Sequence, residues 1–430
     1  MAGEAVIETR NGQQYVNGYK LVNPIDYKWK VLMAAFFGQA FDIMDFMAIA
    51  LALPLIIKDW GLSLVAAGGV ASMTLIGSAI GAYCWGPAMD KWGRKKIYIL
   101  CLLWMTVFSG ACAFVPTMSL LLVFRFLAGF ALGGLWVLGS TLLNEFTPTD
   151  WRANASAFVQ SASLPGYGGI LLINIYLVPV YGWRPLFLIS WLAVLLALYI
   201  AVAIPESPSW IKAKFGILKQ DAASKAAGTP VEKPKMSDLL VGKYSKSTWL
   251  GALLVVSFLV SYWGLQAWTP TYLVQERGVS LARMSWIMLS MNVGGFFGYY
   301  ASGWVATRFT RRQNYLYGCT LAGITMYLFT YIASPSNVMF FSFLLGFISF
   351  GYIGALAVFI GEQFPTQLRA SGISFAWGTG RLSAAIVPTA LGGLATATSL
   401  QTAIGLMGII CALGSICAYF MKDGLYTDNE

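Results

Sequence analysis

The 430-residue chain contains no histidine and draws only 11% of its residues from Asp, Glu, Lys and Arg. Without His the commonest general base and metal ligand is missing, and a proton relay built on imidazole is excluded. A soluble domain carries roughly a quarter charged residues, so this chain has too little polar surface to cover a water-soluble globule. Its six cysteines (Cys84, Cys101, Cys112, Cys319, Cys411 and Cys417) all lie in apolar stretches and form no C-x-x-C pair. They read as small buried side chains, not as disulfides or metal ligands. No Walker A sequence, G-x-S-x-G or H-E-x-x-H occurs, so an enzyme is not expected, nor a metal or cofactor. The first 28 residues lack an apolar core before a small-residue cleavage site, so no cleavable signal peptide is expected.

What the chain has in abundance is apolar sequence, 58% of the total. It falls into stretches of about 20 residues, each long enough to cross a bilayer. Twelve are read, starting near Trp29, Ala66, Ile97, Ser119, Ala153, Arg184, Thr248, Arg283, Asn314, Asn337, Ala370 and Leu400. Orientation follows from Lys and Arg. With the N-terminus in the cytoplasm, inside segments hold Arg10, Lys20, Lys28, Lys30, the Lys91–Lys96 cluster, Arg152, eight lysines from Lys212 to Lys246, Arg308, Arg311, Arg312, Arg369 and Lys422. Outside segments hold only Lys58, Arg184, Arg277 and Arg283. Both termini are therefore expected in the cytoplasm, beneath a cell membrane. The net charge of +10 is a topology signal spread over separate loops, not a nucleic-acid surface.

A single spacing organises the rest. Glu145-x-x-Pro148-Thr149-x-x-Arg152-Ala153 recurs 217 residues later as Glu362-x-x-Pro365-Thr366-x-x-Arg369-Ala370. The same spacing maps Gly77, Gly81 and Gly86 onto Gly294, Gly298 and Gly303, Gly129 onto Gly346, Gly134 onto Gly351, Arg94 onto Arg311, and Lys95 onto Arg312. The chain is read as two parallel repeats, an arrangement found in transporters with a midplane site. The expected division is a tail (1–28), a six-helix bundle (29–205), a Lys-rich linker (206–247), a second six-helix bundle (248–421) and a tail (422–430). The small-x-x-x-small glycines are expected to let helices approach closely.

Particular motifs then point to a family. Gly86-Pro-Ala-Met-Asp90-Lys-Trp-Gly93-Arg94-Lys95-Lys96 resembles the signature loop of the major facilitator superfamily, G-x-x-x-D-x-x-G-R-K. Its counterpart, Gly303 to Arg312, lacks the Asp and the second Gly. Arg125-x-x-x-Gly129 resembles the superfamily's second motif, and Pro205-Glu206-Ser207-Pro208-Ser209-Trp210 resembles a sequence of sugar and organic-acid porters. Asp42-Ile-Met-Asp45-Phe and Gly378-Thr379-Gly380-Arg381 are similar to elements of the aromatic-acid and sialate/monocarboxylate proton symporters. The antiporter signature of the fifth span is not properly present. The resemblance implies an all-α membrane protein, with twelve transmembrane helices in two pseudo-symmetric six-helix bundles.

Four charges fall well inside predicted spans: Asp42, Asp45, Arg125 and Arg381. Intramembrane charge is costly and by default functional and paired. At the repeat spacing these positions meet Leu259, Tyr262, Ser342 and Leu164, so the charges are unique where the glycines are duplicated. Asp45, paired with Arg125, is the expected carrier of a coupling proton, with Asp42 beside it on the same helix face. Arg381 is the expected substrate anchor, since guanidinium matches a carboxylate in a planar fork. Trp377 is placed as its aromatic wall, with Gln266, Asn292 and Tyr352 as further substrate contacts. Asp90, Gly93, Arg94, Glu145, Arg152, Glu362 and Arg369 are expected to form gating charge clusters at helix ends. A static network neutralising the two acids is the bland alternative. The function expected is proton-coupled symport of a small organic anion, a monocarboxylate or aromatic acid, by a monomer in membrane lipid. A sugar or polyol symporter and a transporter-like nutrient sensor are the alternatives.

Overall fold

The computed structural model describes residues 7–10, 13–148, 151–214, 237–352, 356–364 and 366–422. Long helices dominate. The first four spans are Lys28–Trp60, Leu64–Trp92, Arg94–Ala111 and Met118–Phe146. The fifth is broken into Arg152–Gln160 and Ser163–Tyr176, and the sixth runs over Pro185–Ala203. Then follow Ser245–Gln275, Leu281–Arg308, Arg311–Tyr327 (continued by a wider turn, Leu328–Ile332), the broken tenth (Val338–Ser349 and Leu356–Gly361), Thr366–Ala397 and Leu400–Phe420. Each of the twelve expected stretches is thus helical. Among the described residues, seven helices are long and apolar enough to cross a membrane by length and composition. Large apolar side chains such as Val107, Leu198, Val202, Ile386 and Ile409 stand exposed on the outside, as suits a lipid solvent.

Helix starts show how local chemistry sets the boundaries. Thr117, Ser280, Thr310 and Ser399 each accept a hydrogen bond from a backbone N–H in the first turn of the helix that follows, satisfying donors a helix end leaves open. The third span starts differently, on Gly93 at φ +113° with no side-chain cap. There Glu206 accepts from the N–H groups of Arg94 and Lys95 at 2.9 and 3.0 Å. A Cβ on Gly93 would run into that carboxylate. Thr310 stands at the matching position of the second repeat and caps with its own hydroxyl. The Gly-to-Thr difference between the two loops therefore reflects two ways of closing a helix end.

Compactness groups the residues into two units, and the grouping cuts across the repeat. One unit holds residues 1–46, 80–166 and 187–232; the other holds 47–79, 167–186 and 233–430. The core of the first includes Val31, Ala35, Trp85, Tyr98, Leu102, Leu135 and Ile200. In it, Tyr98 donates to the carbonyl of Ala34 (3.2 Å) and Trp85 to that of Phe130 (2.7 Å). In the second unit, parts of the first repeat pack on the second repeat. Thr389 donates to Ser72 Oγ at 2.9 Å, and Asn174 Nδ2 donates to Ser285 Oγ at 2.7 Å.

The N-terminal segment, expected as a tail, is partly β among its described residues. Strands β1 (Ile7–Arg10), β2 (Gln13–Val16) and β3 (Tyr19–Lys20) form an antiparallel meander. Asn17 and Gly18, both at positive φ, make its second turn, as two-residue hairpins require. Val16, Tyr19 and Leu21 pack on Trp210 and Ile211, so the meander is held by the short helix Pro208–Lys214 that follows the sixth span.

The repeated glycines are contact points. A Cβ on Gly81 would overlap the carbonyl of Phe130, and one on Gly298 would overlap that of Phe347, its repeat counterpart. Gly86, in the same motif, has nothing within 4 Å of its Cβ position. Gly81→Ala and Gly298→Ala are therefore expected each to destabilise by about 1–3 kcal/mol through overpacking. Gly86→Ala should leave the thermal unfolding midpoint in detergent unchanged or raise it.

Candidate functional site: a buried ion pair and a polar cluster

Asp45 and Arg125 lie on the first and fourth spans, and their side chains are 1% and 0% exposed. Arg125 Nη1 donates to Asp45 Oδ2 at 3.3 Å, and Nη2 approaches the Asp45 backbone carbonyl at 3.5 Å. Ser109, from the third span, donates to Asp45 Oδ1. The guanidinium also sits 5.5 Å from the ring centre of Phe187, at the start of the sixth span. Three helices thus converge on one carboxylate, and each of its oxygens has a donor. A buried ion pair is sustained only with such complete hydrogen bonding. Removing the proton acceptor strands the arginine, and removing the arginine strands the carboxylate.

Asp42, one turn earlier, is partly exposed and lies within electrostatic reach of Tyr98 and Cys101 on the third span. The two acids share a helix face by spacing, yet it is Asp45 that forms the ion pair with Arg125.

Arg381 and Trp377 lie on the eleventh span, both partly exposed. Gly380 packs against Val255 and Leu259 of the seventh span. Farther along the same pair of helices, Trp268 donates to the carbonyl of Pro388 at 3.0 Å. Gln266 is buried on the seventh span and its amide donates to Tyr262 Oη at 3.4 Å. Asn292, on the eighth span, donates to the carbonyl of Met288 at 2.9 Å and lies beside the Tyr167 hydroxyl. Tyr352 is turned inward: its hydroxyl is 3.3 Å from Cys411 Sγ and its ring packs against Phe258 and Tyr315.

At the helix ends, Arg94 Nε pairs with Glu145 at 3.1 Å and its Nη1 donates to the carbonyl of Met89 at 3.2 Å. In the second unit Arg311 pairs with Glu362. Both partners in the second pair lie one repeat spacing beyond those in the first, so one ion pair occurs twice. Each joins neighbouring spans of its own repeat. Asp90, Arg152 and Arg369 occupy helix positions, but their side chains lie outside the described residues. Sequence reasoning missed Ser109, Phe187 and the capping role of Glu206. It also left Arg311 out of the charge cluster, although the repeat marks it as the counterpart of Arg94.

Comparison with known proteins follows the same lines. The family model described as Major Facilitator Superfamily matches residues 35–388, with a further match over 273–427. The chain belongs to the Major Facilitator Superfamily. It is accordingly a multi-pass membrane transporter, not an enzyme. It is 29% identical to a cis,cis-muconate transport protein of Acinetobacter baylyi, over 94% of this chain and 97% of that protein. It is also 29% identical to a gallate transporter of Pseudomonas putida, over 90% and 91% of the two chains. The inward-open structure of a xylose transporter from E. coli matches with a TM-score of 0.75 at 17% identity, covering 94% of this chain and 98% of that one. That likeness concerns the fold alone.

In this superfamily member the ion pair makes a definite stability prediction. Arg125→Leu, which leaves Asp45 buried without its counter-charge, is expected to cost about 3–5 kcal/mol. The double variant Asp45→Asn/Arg125→Gln should recover most of that loss. Thermal unfolding of the purified proteins in detergent checks both; a double variant no more stable than the single one contradicts the pairing.

Proposed function

We propose that the chain is a proton-coupled symporter of small organic anions, with an aromatic or unsaturated carbon skeleton, working by alternating access. Asp45 is the proton carrier and Arg381 the carboxylate anchor. The observation that carries this reading is the Asp45–Arg125 pair, in which a titratable group and a permanent charge are fully buried together. Protonation of Asp45 cancels its charge and weakens its hold on Arg125, so the pair has two states that differ in charge and bonding. Ionised Asp45 holds Arg125 and accepts from Ser109; protonated Asp45 releases a donor of its own. Such a switch can bias helices toward one arrangement or another.

The substrate assignment is supported by the names of relatives, a muconate and a gallate transporter, and by chemistry. A partly exposed arginine in a mostly apolar helix suits a carboxylate. It has no evident task with a neutral sugar. The Ser72–Thr389 and Asn174–Ser285 hydrogen bonds join the repeats on the side away from the termini, and they would have to break for that side to open. The distribution of Lys and Arg supports a plasma-membrane orientation with both termini in the cytoplasm.

Purified protein in liposomes with an imposed inward proton gradient tests the reading. Uptake of benzoates, muconate and gallate is expected to exceed that of sugars and to collapse when a protonophore dissipates the gradient. Arg381→Ala should raise KM for the acids at least about tenfold, the loss of a charge-assisted contact. Gradient-independent uptake, or sugar as the preferred substrate, contradicts it.

A further inference from the structure

The second unit holds a group of polar side chains that carboxylate anchoring alone does not use. Tyr167, from the second half of the broken fifth span, and Gln266, from the seventh, are each 1% exposed. Tyr262 and Asn292 stand beside them and are partly exposed. Gln266 donates through Nε2 to Tyr262 Oη, but its Oε1 has no hydrogen-bond partner among the described residues. An amide oxygen left unsatisfied in a buried place is destabilising. Such groups in native proteins call for an explanation, a bound partner among them.

Position says what that partner reaches. The seventh and eleventh spans run side by side, with Gly380 against Val255 and Leu259 and Trp268 bonded to Pro388. In that register Arg381 is level with the turn at about Phe258. Gln266 then lies about 12 Å farther along the helix, at a rise of 1.5 Å per residue. That separation suits an aromatic ring with substituents at opposite ends. Tyr262 itself is partly exposed and is backed by two buried rings, Phe350 at 5.1 Å and Phe258 at 5.5 Å between ring centres.

We infer that Gln266, with Tyr262, Tyr167 and Asn292 around it, recognises a hydroxyl group at the far end of a ring whose carboxylate sits on Arg381. The inference rests on the proposed role of Arg381 and adds the identity of the opposite substituent. A hydroxyl donates and accepts at once. It can give its proton to Gln266 Oε1 while accepting from Tyr167 or Asn292. A second carboxylate, when ionised, only accepts; it would leave Oε1 unsatisfied and bring a charge into a neutral site. A hydrogen atom in its place would leave the whole cluster unanswered, and sites built to bind a hydroxyl discriminate strongly against analogues that lack one.

Uptake into liposomes of 4-hydroxybenzoate, benzoate and terephthalate, as initial rates giving kcat/KM, tests this. Wild type is expected to favour 4-hydroxybenzoate over both others by at least about tenfold. In Gln266→Leu the ratio of 4-hydroxybenzoate to benzoate should fall toward one. Tyr262→Phe, which keeps the ring, should lower the same ratio in the same direction and serves if Gln266→Leu does not fold. An unchanged ratio in the variants, an equal loss for both acids, or a wild-type preference for benzoate or terephthalate overturns the inference. Arg381→Ala separates the two claims. If it weakens both acids alike, the anchor stands whatever the ratio does. If it weakens neither, the anchor fails, and so does an inference that uses it to orient the ring.

Discussion

A carboxylate and a guanidinium buried among apolar helices can persist only while each answers the other, and the Asp45–Arg125 pair meets that condition. Arg125 takes one carboxylate oxygen and Ser109 the other, so three spans are fixed around one acid. The arrangement is stable because it is complete, and it is responsive for the same reason. A single proton changes its charge, its bonding and the reason the three helices meet. The Phe187 ring packed on the guanidinium adds a fourth contact that does not depend on protonation.

Around this unique element the structure is duplicated. The same close approach of glycine to a Phe carbonyl occurs at Gly81 and Gly298, and the same Arg–Glu pair occurs as Arg94–Glu145 and Arg311–Glu362. Duplicated features hold helices together, a task both halves share. The charges that occur once, Asp45, Arg125 and Arg381, are the ones to which the proposed cycle assigns proton and substrate. Where the repeat is broken within a scaffold motif, a local reason is visible: Gly93 makes room for Glu206, whereas Thr310 caps its own helix.

Much of this was readable from the chain. The twelve spans follow from apolar length, and the grouping of Arg94 with Glu145 from the helix-end motifs, whereas Arg311 as the partner of Glu362 was overlooked although the repeat spacing marks it. The partnership of Asp45 with Arg125 follows from the cost of charge in a membrane. Ser109 was not readable, because a serine in an apolar span carries no periodic or electrostatic mark. Glu206 reaches the third span from 112 residues away, a distance that no local pattern bridges. Asp42 and Asp45 share one helix face by spacing, and Asp45 was the acid expected to meet the arginine. It is Asp45 that does, while Asp42 lies toward Tyr98 and Cys101. The N-terminal meander did have a signal, Asn17-Gly18 between alternating residues, which the overall polarity of the segment masked.

The central claim is that Asp45 carries the coupling proton. The most direct test is to load liposomes with substrate and compare exchange against labelled substrate with gradient-driven accumulation in Asp45→Asn. The account predicts that exchange persists while accumulation, and the substrate-induced rise in external pH that accompanies uptake, are both lost. Accumulation and proton movement at wild-type levels in that variant would contradict it.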